Sequence, residues 1–265
     1  MRAKYLPPLR RVQGKRERPS PATIRCMPKR QPYRKRPPAY DVQAAIHHLS
    51  TSDARMRRLI ERAGPFELRI SARQSPFEAL VESIVYQQLH GKAAATIHKR
   101  MIASFEPLCG TGNHPLPQHV LDCPNDQLRA AGLSHNKALA LRDLAAKTLD
   151  STVPTLVQIR RMSDDEIIDR LVQVRGIGKW TVEMMLIFRL GRPDVFPVDD
   201  YAIRKGFALT YLGLKNGDKV VAKDLPRAVA MEKRAERWRP YRSVATWYLY
   251  RACDLAAKLA TAKSK

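Results

Sequence analysis

From Tyr40 onward the apolar positions recur at steps of three and four, the spacing of one face of an α-helix. Asp41 stands where it can cap a helix running to about residue 49, and Ser52 or Asp53 can cap another to residue 63. Ser75-Pro76 marks a third start, with a capping hydroxyl followed by a proline at the first helical position. Phe77, Leu80, Val81, Ile84 and Val85 then describe a mostly buried helix, which Gly91 interrupts before a helical pattern resumes over 92–105. Residues 106–124, rich in proline and glycine, read as a loop. Further helices are predicted over 125–131, 135–150 (stripe Leu139, Leu141, Leu144, Ala145), 166–173, 179–190, 199–210, 225–236 and 243–260, with 194–198 extended. There is no run of alternating strands and no internal repeat, so the expected class is all-α.

Charge adds a partner to this picture. The 265 residues carry a net charge of +23, which points first to nucleic acid and second to an anionic membrane surface. No stretch approaches the roughly 18 consecutive apolar residues of a membrane span. Residues 1–40 hold 13 Lys and Arg against the single Glu17, together with eight of the 19 prolines. Proline at that density breaks helix, so 1–40 reads as a disordered basic arm, and the prolines argue against an amphipathic targeting presequence. The body is expected over 41–260, with a short basic tail at 261–265. The four cysteines (Cys26, Cys109, Cys123, Cys253) are scattered and contain no C-x-x-C pair, which speaks against zinc or iron–sulfur binding and for reduced thiols.

Two segments carry candidate chemistry. In Val172-Gln173-Val174-Arg175-Gly176-Ile177-Gly178-Lys179-Trp180-Thr181 a glycine hairpin joins two helices. Glycine permits positive φ and close approach, and the free amides opening the second helix can meet a phosphate oxygen, helped by Lys179. Taken alone, this turn fits an ordinary helix–helix connection equally well. About 20 residues later, Asp194-Val195-Phe196-Pro197-Val198-Asp199-Asp200-Tyr201 opens a helix with two acids. Capping needs one Asp; the neighbouring carboxylate points about 100° away and is free for other work.

The order of hairpin, apolar helix, Val-Asp-Asp and helix resembles the helix-hairpin-helix–Gly/Pro/Asp superfamily of DNA glycosylases. Three further segments resemble its DNA-3-methyladenine glycosylase II branch. They are Phe77-Glu78-Ala79-Leu80 with Tyr86-Gln87-Gln88-Leu89-His90-Gly91-Lys92, then Leu128-Arg129-Ala130-Ala131-Gly132-Leu133-Ser134 with Lys137, then Trp238-Arg239-Pro240-Tyr241-Arg242-Ser243 with Ala245, Trp247, Tyr248 and Tyr250. Five motifs fall in the family's order.

The resemblance implies an all-α, two-lobed fold without the N-terminal β domain of larger members. It implies a monomer acting on damaged double-stranded DNA, in a bacterial cytoplasm or a eukaryotic nucleus. The activity implied is base flipping and hydrolysis of the N-glycosidic bond of an alkylated purine, leaving an abasic site. Asp200 matches the family's catalytic carboxylate, which stabilises an oxocarbenium-like sugar, with Asp199 as the expected cap. Relatives that also cut the strand carry a Schiff-base lysine where this chain has Trp180, so a monofunctional enzyme is expected. Trp180, Met184, Tyr201 and Tyr250 are the expected base pocket, the indole face attracting a cationic alkylpurine. Gln87, Gln88, Leu89 and His90 match the segment that plugs the gap left by the flipped nucleotide, with His90 directed to the minor groove. Gly176, Ile177, Gly178, Lys179 and Thr181 would bind backbone phosphate. The hairpin and Asp200 are expected to form one wall of a cleft and residues 87–90 the other. No organic cofactor and no side-chain metal site is implied; relatives hold a monovalent cation on hairpin carbonyls. Two other readings stand beside the enzyme: a non-catalytic hairpin module that binds bent or damaged DNA, and a generic polyanion binder driven by the arm.

Overall fold

The computed structural model describes residues 36–70, 75–214 and 224–263. Most of the basic arm (1–35) and the last two residues of the tail lie outside the described residues. Residues 36–40, which composition groups with the arm, belong to the folded body. Arg36 and Ile70 exchange backbone hydrogen bonds at 3.0 and 2.8 Å, and Pro38 is buried. That bridge is the only β-type pairing among the described residues; everything else is helix and connection.

Local chemistry starts most of the helices. Asp41 caps α1 (Val42–Ser52), accepting from Gln43 N and Ala44 N, and Asp53 caps α2 (Ala54–Ala63). Ser75 and Glu78 form a reciprocal capping box on α3 (Pro76–Tyr86), and α4 (Gly91–Ser104) follows. The stretch expected to be loop contains two short helices, α5 (Glu106–Cys109) and α6 (Pro117–Asp122). Both carry proline in the first turn, where its missing N–H costs no hydrogen bond, so the residue that suggested a loop starts each helix. Next come α7 (Asn125–Ala130), α8 (His135–Leu149) and the unexpected α9 (Leu156–Ile159), whose Thr155–Gln158 box has the same logic. Ser163 and Glu166 box α10 (Asp164–Leu171). Helix α11 (Lys179–Met185) widens into a π turn over Leu186–Leu190. The chain closes with α12 (Tyr201–Tyr211), α13 (Ala228–Ala235), a 3₁₀ turn at Glu236–Trp238 and α14 (Arg242–Lys263), which takes in the start of the expected tail.

The apolar faces pack into two cores. One gathers residues from α3 to α11 around Leu80, Ile84, Leu128, Leu141, Leu144 and Leu186. The other joins α1 and α2 to α12, α13 and α14 around Leu49, Met56, Ile203, Trp238 and Tyr248. The chain thus starts and ends in one lobe and builds the other between. The rings of Phe66 and Trp247 meet edge-on at 4.9 Å and touch both cores, so Trp247 is packing.

Within the second lobe α12 and α14 are nearly backbone to backbone. A Cβ on Gly206 would stand 2.1 Å from the Leu249 carbonyl oxygen, so no side chain fits there. This approach brings Tyr250, next to Leu249, toward the head of α12.

Candidate active site

The extended connection that leaves the first lobe is pinned before it reaches the site. Asp194 accepts from Arg242 Nε at 2.7 Å and from Arg239 Nη1 at 2.6 Å, and Val195 N donates to Ser243 Oγ at 2.9 Å. Residues 197–200 then turn, with Asp200 N donating to Pro197 O at 3.1 Å, and α12 begins at Tyr201. The turn starts the helix at Tyr201 instead of 199 and moves the cap by one residue. The cap is therefore Asp200, not Asp199. Asp200 Oδ1 accepts from Ile203 N at 2.8 Å, whereas Asp199 is exposed. The other oxygen, Oδ2, accepts from the indole Nε1–H of Trp180 at 2.7 Å, across the lobe boundary. One buried carboxylate is held by a backbone amide of one lobe and an indole of the other.

The expected pocket residues gather around it. Trp180 commits its N–H edge to Asp200 and is 48% exposed, so its ring is accessible. The Tyr250 hydroxyl meets Met184 Sδ at 3.5 Å, and burial, with Asp200 nearby, pushes its phenol pKa up. Tyr201, the residue after Asp200, is 57% exposed.

Sequence reading passed over Glu183. It lies one turn after Lys179 on α11, is buried, and has the Lys179 ammonium 3.8 Å away. Burial pushes its carboxyl up to about 7, Asp199 and Asp200 add repulsion, and Lys179 opposes. An acid with a raised folded pKa stabilises the fold only while protonated. That contribution is full below the unfolded value, near 4.5, and is lost as pH rises through about 7. At about 1.4 kcal/mol per tenfold change, the ceiling on the loss is about 3 kcal/mol. Glu183→Gln is expected to melt with the wild type at pH 5 and above it at pH 8; calorimetry at the two pH values checks this.

The hairpin matches expectation in part. Gly176 has φ +76, the left-handed conformation that favours glycine. Gly178 does not: it caps α11 at φ −96, and a Cβ there would meet nothing within 4 Å. Its value is open space. The Ile177 and Thr181 side chains are buried, so these residues can offer a ligand only their backbone. The first helical hydrogen bond is made by Thr181 N, which leaves the amides of Gly178, Lys179 and Trp180 ahead of it, and the Lys179 side chain is 63% exposed. Within the turn Val174 O accepts from Ile177 N and Gly178 O from Thr181 N, while the carbonyls of Val172, Arg175 and Ile177 accept none of the turn's own hydrogen bonds.

Residues 87–90 form the corner between α3 and α4. Gln88, Leu89 and His90 are exposed, Leu89 at 39%, and Gln88 has φ +56, uncommon outside glycine. Gln87 differs: its Nε2 donates to Gly176 O at 2.9 Å. This corner therefore stands beside the hairpin, in the same lobe. Gln87 bonds the corner to the hairpin, and Trp180 bonds the helix that follows the hairpin to Asp200, so corner, hairpin and carboxylate are linked in series.

Other histidines lie partly inside: His119 is buried, and the His98 and His114 rings meet at 5.4 Å. Among the described residues no group of three or more His, Cys, Asp or Glu could hold a metal, and no helix is long and apolar enough to cross a membrane. Cys109, Cys123 and Cys253 are free thiols.

A buried carboxylate at a helix head, bonded to the indole of the helix that follows a glycine hairpin, defines a class. Residues 81–231 match the model of the HhH-GPD superfamily base excision DNA repair proteins, and the chain belongs to that family. It is 36% identical over 210 residues to DNA-3-methyladenine glycosylase 1 of Schizosaccharomyces pombe, covering 79% of this chain and 86% of that protein. The structure is similar to the S. pombe 3-methyladenine DNA glycosylase solved with abasic DNA (TM-score 0.65, 36% identity, 78% of this chain and 95% of that one). It is also similar to a DNA-3-methyladenine glycosidase from Bacillus halodurans (TM-score 0.67, 29% identity, 82% and 91%). Family membership supports a base excision glycosylase over the non-catalytic hairpin module.

Proposed function

We propose that this chain is a monofunctional DNA glycosylase of the alkylpurine branch, working as a monomer on duplex DNA and leaving an abasic site. The observation that carries the reading is Asp200, a buried carboxylate clamped from both lobes at the cleft. A 3- or 7-alkylated purine already bears positive charge and departs as a neutral base, so the demand on the protein is to stabilise the sugar cation. A preorganised carboxylate does that, since its two clamping hydrogen bonds spare it reorganisation. The half-exposed Trp180 ring gives the cationic base a π face. The amides of Gly178, Lys179 and Trp180 and the Lys179 ammonium grip a phosphate on the same side. The Val172 and Ile177 carbonyls are available to a monovalent cation, which would order the turn.

Absence of lyase chemistry is supported by Trp180 itself. It occupies the place of a Schiff-base lysine, and its N–H edge is already engaged with Asp200. Incubation with methylated duplex DNA is expected to release free 3-methyladenine or 7-methylguanine, with the strand intact until alkali is added. Spontaneous nicking, or a covalent adduct trapped by borohydride, would overturn the monofunctional reading. No base release from any alkylated substrate would overturn the glycosylase itself.

A further inference from the structure

Helix α8 holds both loops that the proposed function turns toward DNA. Lys137, in its first turn, donates through Nζ to Val85 O at 2.7 Å and to Gln87 O at 2.8 Å. These carbonyls end α3, where the helix can no longer supply partners of its own. Two turns later Asp143 accepts from the hairpin amide of Arg175 at 2.7 Å and from Lys147 Nζ at 2.8 Å, and Lys147 also donates to Gln173 O. Gln87 closes the ring through its bond to Gly176 O.

The Lys137 contacts are costly to make. An ammonium is drawn partly out of water against two neutral carbonyls, and burial pulls its pKa down. The next residue, Gln88, has the unfavourable backbone conformation already noted, which persists only where its surroundings hold it. A corner doubly tied at its entry is so held: Lys137 grips the Val85 and Gln87 carbonyls, and the Gln87 side chain ties the same residue to the hairpin. Beyond that entry stands the exposed tip, Gln88 and Leu89, with Leu89 N donating back to Tyr86 O at 3.3 Å.

We propose that Lys137 and Gln87 are positioning residues for base extrusion. They fix the Gln88–Leu89 tip relative to the hairpin, so that the backbone grip and the plug enter the duplex as one rigid unit. Gln87 then leaves the set of plug candidates. The proposal rests on reading Gln88 and Leu89 as the plug. A plug on a loose corner would still fill a gap but could not force one open, so the defect depends on whether the base is still stacked.

The test is single-turnover excision of 7-methylguanine from two substrates: a fully paired duplex, and the same strand with the lesion in a one-nucleotide bulge. Lys137→Met is expected to slow the paired substrate about tenfold or more, the scale of one lost charge-assisted contact, and the bulge less than about twofold. Lys137→Arg is expected to recover most of the paired rate by keeping the cation. Gln87→Ala, a surface change that threatens no core, is expected to show the same split more weakly. Equal slowing on both substrates would mean a merely structural role and overturns the proposal, as does no slowing on either. The double change Gln88→Ala with Leu89→Ala separates the two layers. If it leaves the paired rate unchanged, the plug reading falls; if it slows the paired rate while Lys137→Met and Gln87→Ala do not, the plug stands and the positioning role falls.

Discussion

Asp200→Asn is expected to cut base release by a factor of about 10² to 10³ while leaving the fold intact. Asparagine caps a helix as well as aspartate does, and its side-chain oxygen can still accept from Ile203 N or Trp180 Nε1. The charge is lost, and with it one of the two clamping hydrogen bonds, because the amide nitrogen faces a donor that it cannot accept from. Electrostatic groups preorganised toward a developing charge contribute about 3–4 kcal/mol to the barrier, which sets the factor. Single-turnover release of methylated base measures the first effect, and a melting temperature within about 2 °C of wild type checks the second. Asp199→Asn is the control: that carboxylate is exposed and caps nothing, so its activity should stay close to wild type. Full activity in Asp200→Asn would remove the catalytic assignment.

The largest expected loss of stability lies away from the cleft, at Asp53. Its side chain is fully buried and gathers donors from four elements. Arg234 Nε and Nη2 donate at 2.9 and 3.0 Å, Trp238 Nε1 and Tyr211 OH at 3.2 Å each, and the amides of Arg55 and Met56 complete the cap of α2. Burial alone would raise the Asp53 pKa. The Arg234 hydrogen bond, with those of Met56 and Trp238, outweighs it and holds the carboxyl below its usual range. Asp53→Ala strands a guanidinium, an indole N–H and a phenol without their acceptor. Removing one partner of a buried pair costs about 3–5 kcal/mol, so the melting temperature should fall by about 10 °C or more. A depressed pKa also gives the sign of the pH effect. The stabilisation is present above the unfolded value near 3.8 and is lost as pH falls through the lower folded one. Denaturant melts should therefore show the gap between wild type and Asp53→Ala widest at neutral pH and closing in strong acid. The Tyr211 contact ties α1 and α2 to α12 and the Arg234 contact ties them to α13, so the variant should also disturb the seat of Asp200.

How much of this was legible beforehand varies with the range of the interaction concerned. Helix starts at Asp41, Asp53 and Ser75 are readable because a cap is a bond between residues two or three apart. The same locality made 106–124 misleading: proline excludes a helix interior but favours a helix start, and composition cannot say which end is present. In the site, Asp200 and Trp180 were both singled out, yet their hydrogen bond was not foreseen, because it spans 20 residues and the lobe boundary. Asp199 was given the cap because nothing local to the sequence shows that residues 197–200 turn once more before the helix begins.

What the sequence determined by itself is the all-helical class, the order of the motifs, the surplus of positive charge and the residue types available at the cleft. Each is written in periodicity, composition or short spacing, which hold wherever the chain goes. What only the tertiary structure decided is how those residues divide their work. Asp200 is cap and candidate catalyst together, Ile177 turns inward, Gln87 braces the hairpin, Lys137 grips the corner of α3, and Glu183 keeps its proton to about 7. The physical reason is common to all of them. A side chain's role depends on the partner that satisfies its polar atoms or the burial that denies them water, and both come from segments far apart in the chain.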